Sequence, residues 1–309
     1  MNAPRVRSAQ PVWGVARTRN KAGFLMPIAL ALLACSIDAA KLPNREGATQ
    51  LYQKTDYSGS LKLLFSSPVK DAAVFQLIGQ NYFMLGDYKK ATDALEKAAQ
   101  LGAGGSDFYV WLGRAYGRRA ETAGPFTAPG LASRARKMFE KAVELDIRNR
   151  EATGDLLDYY LGAPGFLGGG LNKAEELAQK VVAVDPAEGH YLLAQVEDKR
   201  KHYDGAEQHL RQALALAPKQ VNRITDLAKY LARHGRTEES DQLFAQATEV
   251  APRDPEVMYY RAETYIDGRR HLDDARQLLQ QYLASPLTPN DPPRASAEAL
   301  LKKAAPPTH

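Results

Sequence analysis

The sequence predicts an all-α chain folded as a solenoid, a row of antiparallel helix pairs stacked side by side. Three observations carry that prediction. A single pattern of large and small apolar residues recurs six times between residues 75 and 282; Pro218 and Pro252 close two successive units 34 positions apart; and glycines such as Gly86 and Gly235 stand where a chain would turn between paired helices. With 44% hydrophobic residues, the 309-residue chain has ample material for a continuous core.

The first element is a leader. Arg5, Arg7, Arg17, Arg19 and Lys21 stand without any Asp or Glu among residues 1–35, and the apolar run Phe24–Ala34 follows them. That run is too short for a membrane-spanning helix of roughly 20 residues and Pro27 interrupts it, so residues 1–40 read as a secretory signal. Leu32-Leu33-Ala34-Cys35 resembles the lipobox of bacterial lipoproteins, which would make Cys35 a lipidated first residue; Ala39 and Ala40 offer ordinary cleavage instead. The expected location is the periplasm or the cell envelope. The net charge of +5 resides in the leader, leaving 36 basic against 36 acidic residues. No nucleic-acid partner is therefore expected, and a membrane is expected to be met only through such an anchor. Cys35 is the only cysteine, which excludes an internal disulfide and a cysteine-based zinc site.

The repeats come next. Phe75, Ile78, Gly79 and Tyr82 are followed by Ala91, Leu95 and Ala98; Tyr109, Leu112, Gly113 and Tyr116 by Ala135, Phe139 and Ala142; Leu156 and Tyr160 by Ala174, Ala178, Val181 and Pro186. Leu193, Ala194, Ala206, Leu210, Ala213 and Pro218 form a fourth unit, and Ile224, Leu227, Ala228, Leu231, Phe244, Ala247 and Pro252 a fifth. Met258, Ala262, Tyr265, Ala275, Leu279 and Tyr282 form a sixth with one extra residue, and Leu51, Tyr57, Ser60 and Leu64 a degenerate first pair. Small residues belong where helices approach closely and large ones fill the space between, while a proline ends a second helix.

This spacing resembles the tetratricopeptide repeat (TPR). The resemblance covers about residues 48–286 and implies a right-handed superhelix of about seven helix pairs with a C-terminal capping helix. The superhelix is expected over 41–286, with full repeats near 72–105, 106–149, 150–186, 187–218, 219–252 and 253–286; a proline-rich link, capping helix and tail occupy 287–309. In the cap, Ala297, Leu300 and Leu301 are placed to cover the sixth repeat while Glu298, Lys302 and Lys303 face water.

Two insertions depart from the pattern. Tyr116 to Ala135 spans 19 positions and Tyr160 to Ala174 spans 14, where Tyr82 to Ala91 spans nine. Both fall at the turn within a pair and so emerge on one edge of consecutive repeats. Phe126, Phe166 and Leu167 on them are candidate contacts, although apolar loop residues more often fold back onto the solenoid, which is the expectation here.

Catalytic signatures are missing from the sequence. No HExxH or GxSxG occurs, and Gly168-Gly169-Gly170 lacks the strand and the Lys-Ser or Lys-Thr pair of a phosphate loop. No enzyme activity and no cofactor are expected. What the resemblance implies is a concave groove built from first helices. Transferring the family's groove positions names Gln76, Gln80, Phe83, Arg114, Arg118, Asp158, Tyr191, Gln195, Lys199, Lys229, Arg233, Tyr259 and Glu263, a polar surface of mixed charge. It suits an extended peptide or a partner helix, and so a non-catalytic scaffold for a protein partner; the alternative is a periplasmic ligand-handling subunit resembling the repeat component of tripartite transporters. Self-association is left open.

Overall fold

The computed structural model describes residues 42–305, and the leader, Cys35 and the tail 306–309 lie outside them. Seven antiparallel helix pairs follow one another: α1 (Leu42–Gln53) with α2 (Tyr57–Ser66), α3 (Ala72–Met84) with α4 (Tyr88–Gln100), α5 (Ser106–Glu121) with α6 (Ala128–Leu145), α7 (Arg150–Gly162) with α8 (Leu171–Val182), α9 (Pro186–Lys199) with α10 (Tyr203–Leu216), α11 (Val221–Arg233) with α12 (Thr237–Val250), and α13 (Pro255–Asp267) with α14 (Leu272–Ala284). Helix α15 (Arg294–Lys303) packs on the last pair. No strand occurs among the described residues.

Most of these helices are 12 to 14 residues long, a length that is marginal in isolation. Two things hold them. Side chains of Asp56, Asp71, Asp87, Asn149, Asp185 and Asp254 accept first-turn backbone N–H groups, each such cap contributing about 1 kcal/mol. The larger share is burial. Leu95, Phe108, Leu157, Leu192, Ile224, Phe244, Leu279 and Tyr282 are fully enclosed between successive pairs.

The small residues of the pattern mark the closest approaches. A Cβ placed on Gly79 would stand 2.5 Å from Leu95 Cγ, and one on Gly113 would stand 2.5 Å from the Phe139 ring. Ala194, Ala228 and Ala262 occupy the same place in later repeats and are buried. In the cap, Ala297 and Leu300 are buried, whereas Glu298, Lys302 and Lys303 are exposed.

Five of the seven turns within pairs, all but those carrying the insertions, share one backbone device. Gly86 and Gly235 have φ of 78° and 80°, in the left-handed region, and the same turn in other pairs holds Thr55, Lys201 and Arg269 at φ of 60°, 64° and 50°. The extra residue of the sixth repeat adds a second left-handed position, His271.

Three expectations need correction. Pro186 does not end α8; it opens α9 at the first helical position, where a missing N–H removes no helical bond. The ten-residue insertion is not all loop, because Ala128, Pro129 and Gly130 form the first turn of an 18-residue α6 and only Thr122–Thr127 connects it to α5. The insertion phenylalanines do not fold back: Phe126 is 98% and Phe166 84% exposed. Leu167 is half-buried, and its carbonyl accepts the Tyr159 hydroxyl at 2.9 Å.

Candidate functional site

First helices line the inner face, and in the C-terminal half α7, α9, α11 and α13 enclose a cavity of about 940 Å³. Its wall shares Tyr191 and Asp226 with a polar spine. Arg223 of α11 and Glu188 of α9, both buried, are hydrogen-bonded, and Arg223 also donates to Asp226 at 3.1 Å. Arg150 of α7 joins the same group through Asp185 at 2.8 Å and Glu188 at 3.4 Å. The Arg223 guanidinium lies 4.2 Å from the centre of the Tyr191 ring, and the Lys229 ammonium 3.9 Å from that of Tyr260. Successive first helices are thus fastened by charge and aromatic faces rather than by aliphatic contacts alone.

Seven sequence-named residues meet here: Asp158, Tyr191, Gln195, Lys199, Lys229, Arg233 and Glu263. Asp198, Asp226, Asp267 and Arg270 complete the charged lining. Burial raises the pKa of Asp226 against the pull of Arg223, and burial likewise raises Asp158 and Glu263, the latter opposed by Lys229. Burial pushes Tyr260 up to about 12 and holds Tyr191 un-ionised. These carboxylates share the cavity with two lysines and two arginines, Lys199, Lys229, Arg233 and Arg270.

A smaller cavity of about 480 Å³ lies at the other end, where Gln76 and Gln80 of α3 stand with Tyr52 of α1 and Trp111 of α5. Four other named residues line neither cavity. Phe83 is engaged edge-on by Tyr88 and Trp111, each 5.4 Å away. Arg114 is consumed between α5 and α7, donating to both Asp155 oxygens at 2.5 and 3.2 Å and to Glu151 at 2.8 Å. Arg118 pairs with Glu121 at 2.6 Å and covers the Tyr88 ring. Tyr259 is buried against Tyr282, and its neighbour Tyr260 faces Lys229 instead.

The sequence reading does not name Asp198, Asp226, Asp267 or Arg270 of the lining, nor Tyr260, which meets Lys229. Asp198 and Asp267 are legible, since each falls on a groove position of its repeat. Asp226 and Tyr260 sit one step past a groove position, and Arg270 lies in the turn after α13, where it donates to Asp241 of α12 at 2.5 Å. Also unforeseen is a stacked pair, His190 of α9 and His209 of α10, with Nδ1 atoms 3.1 Å apart.

Tetratricopeptide-repeat models match residues 72–101, 168–221 and 199–258. The chain is a tetratricopeptide-repeat protein. Among solved structures, a TPR protein from Parabacteroides merdae is 13% identical with a TM-score of 0.53, over 86% of this chain and 99% of that one. A Thermus thermophilus TPR protein is 20% identical over 61% of this chain and 97% of its own, TM-score 0.47. The C-terminal part of a Cytophaga hutchinsonii TPR repeat-containing protein is 18% identical over 83% and 98%, TM-score 0.45. No curated protein matches the chain. The TPR fold is commonly a protein-interaction module without catalytic activity of its own.

Proposed function

We propose that this TPR protein is a scaffold of the cell envelope that holds a segment of a partner protein in its concave face, at the cavity between α7, α9, α11 and α13. The observation that carries this reading is the cavity's lining, where Asp158, Asp226 and Glu263 face Lys199, Lys229 and Arg233. Such a surface offers hydrogen-bonding groups of both signs to an extended main chain and its side chains, with the Tyr191 ring as rigid aromatic support. The basic leader with its apolar run supports export, and Leu32-Leu33-Ala34-Cys35 supports attachment by a lipid.

A second reading, a ligand-handling subunit of a transporter, draws on the same cavity, whose volume suits a small charged molecule. Affinity capture of the full chain from envelope extracts separates the two. A stoichiometric protein partner that is lost on Lys229→Glu supports the scaffold. Recovery of a bound small molecule with no protein overturns it in favour of the second reading.

A further inference from the structure

The two insertions share a property for which the groove has no use. Residues 122–127, which join α5 to α6, and residues 163–170, which join α7 to α8, contain no charged side chain, and each raises one phenylalanine, Phe126 or Phe166, almost wholly into solvent. Neither is a slack loop. The Gly124 carbonyl accepts the N–H groups of Thr127 and Ala128 at 3.0 and 2.9 Å, closing a tight turn that displays Phe126. The second insertion holds a single 3-10 turn, Gly165–Leu167, pinned by the Gly170 N–H on the Tyr160 carbonyl at 2.8 Å and by the Lys173 ammonium on the Gly168 carbonyl at 3.0 Å. A Cβ on Gly169 would stand 1.8 Å from the Ala163 carbonyl oxygen, so this loop is also closely packed on its own stem. A Cβ on Gly168 would stand 2.9 Å from Arg136 Nε of α6, so the second insertion rests against the pair that carries the first. Single exposed apolar residues are ordinary, but two phenylalanines raised from neighbouring pairs on ordered, uncharged turns form a surface feature.

Helix pairs alternate in direction, so every turn within a pair lies on one rim of the coil and every turn between pairs lies on the other. The rim around the two phenylalanines is basic. In the second to fourth pairs, the connections on this rim and the helical turns flanking them carry Lys89, Lys90, Arg118, Arg119 and Lys173 against Asp87 and Glu121. On the opposite rim, where α4 meets α5, α6 meets α7 and α8 meets α9, the same stretches hold six acidic residues against four basic ones. An uncharged apolar tip gives up no ion's hydration on entering hydrocarbon, and cations set back by about one helical turn remain at the level of headgroup phosphates. Apolar tips beyond a basic collar thus match the order in which an anionic bilayer presents its layers, acyl chains beneath phosphates.

We propose that this rim docks on an anionic lipid bilayer, with Phe126 and Phe166 seated among acyl chains and the basic collar among headgroup phosphates. The contact uses neither the groove nor a lipid on Cys35. It stands the coil on the membrane by one rim and leaves the concave face open, from the C-terminal cavity to the smaller one, where Pro289 and Asn290 of the link lie across from Tyr52 and Trp111.

The test uses the full chain with Cys35→Ser, so that Phe126→Cys, Phe166→Cys or, on the opposite rim, Arg148→Cys supplies the sole thiol for an environment-sensitive nitrobenzoxadiazole label. The probe is vesicles of equal parts phosphatidylglycerol and phosphatidylcholine. Labels on the two insertions should brighten, shift to the blue and be quenched by brominated acyl chains, while the label in place of Arg148 stays in water. The leader is common to all three chains, so a response confined to one rim is not its doing. With the label in place of Phe166, Phe126→Ser should raise the lipid concentration for half-response about fivefold or more, the loss of one ring from hydrocarbon. Lys89→Glu with Lys90→Glu should raise it about tenfold or more, and added salt should weaken binding of the chain that keeps both lysines. Lys229→Glu should change nothing, which separates this surface from the groove. Insertion labels that stay in water on vesicles, or that enter phosphatidylcholine alone as readily, overturn the proposal. Brightening that follows protein concentration in the absence of lipid overturns it in favour of a second copy of the chain.

Discussion

Arg223 and Glu188 show how single side chains fix the spacing of the groove. Each is buried, so neither charge has water to fall back on. Arg223→Met leaves the buried Glu188 with only its 3.4 Å contact to Arg150 and should cost about 3 kcal/mol in denaturant unfolding. The pair Arg223→Met with Glu188→Met should recover most of that loss. His190 gives a pH prediction. Burial, and then the charge of His209, lower its pKa, so the folded state favours neutral imidazole and the unfolded chain takes up the proton first. The His190 contribution to stability is therefore complete above about pH 6.5 and erodes as pH falls below it; His190→Gln should flatten that acid limb in thermal melts. At Glu263 the sign is opposite. Its raised pKa means that ionisation at neutral pH works against folding, so Glu263→Gln should raise the melting temperature slightly while weakening the groove's ligand.

The left-handed turn between paired helices is a property of elements. Gly fills it twice, while Lys201 holds the same conformation with a Cβ at a cost of about 1 kcal/mol. Lys201→Gly should stabilise the chain by a few tenths of a kcal/mol, the relief of strain partly offset by added freedom of the unfolded chain, and calorimetry would show it. The helix pairs themselves were legible in the sequence because close approach demands small residues at fixed offsets, as at Gly79 against Leu95 and Gly113 against Phe139. The groove was legible only in part. Register says which face of a first helix points inward, but not what the next helix sets against it. Tyr259 is drawn into the core by Tyr282, whereas Tyr260 meets Lys229. Arg114 is neutralised by Asp155, 41 positions on, a pairing no local pattern reveals. The exposure of Phe126 likewise follows from how far α6 extends, and helix length after an insertion is not written in the repeat's spacing.

For the whole molecule, stability is a sum of neighbour contacts along a line, and its ends decide whether the line is sealed. Helix α15 seals one end with Ala297 and Leu300 over Leu279 and Tyr282. Leu300→Ala should cost about 2–4 kcal/mol by opening a cavity there, and hydrogen exchange should report it first in α13 and α14 rather than uniformly. A stack of helix pairs is also a spring, lengthening when its coils part. Because the link after the last pair lies over the inner face of the first three, this spring is a coil whose two ends share a room. Stretching the molecule would draw Pro289 and Asn290 away from Trp111, and compressing it would press them closer. Tension between the first pairs and the last would therefore open that room, and release would close it.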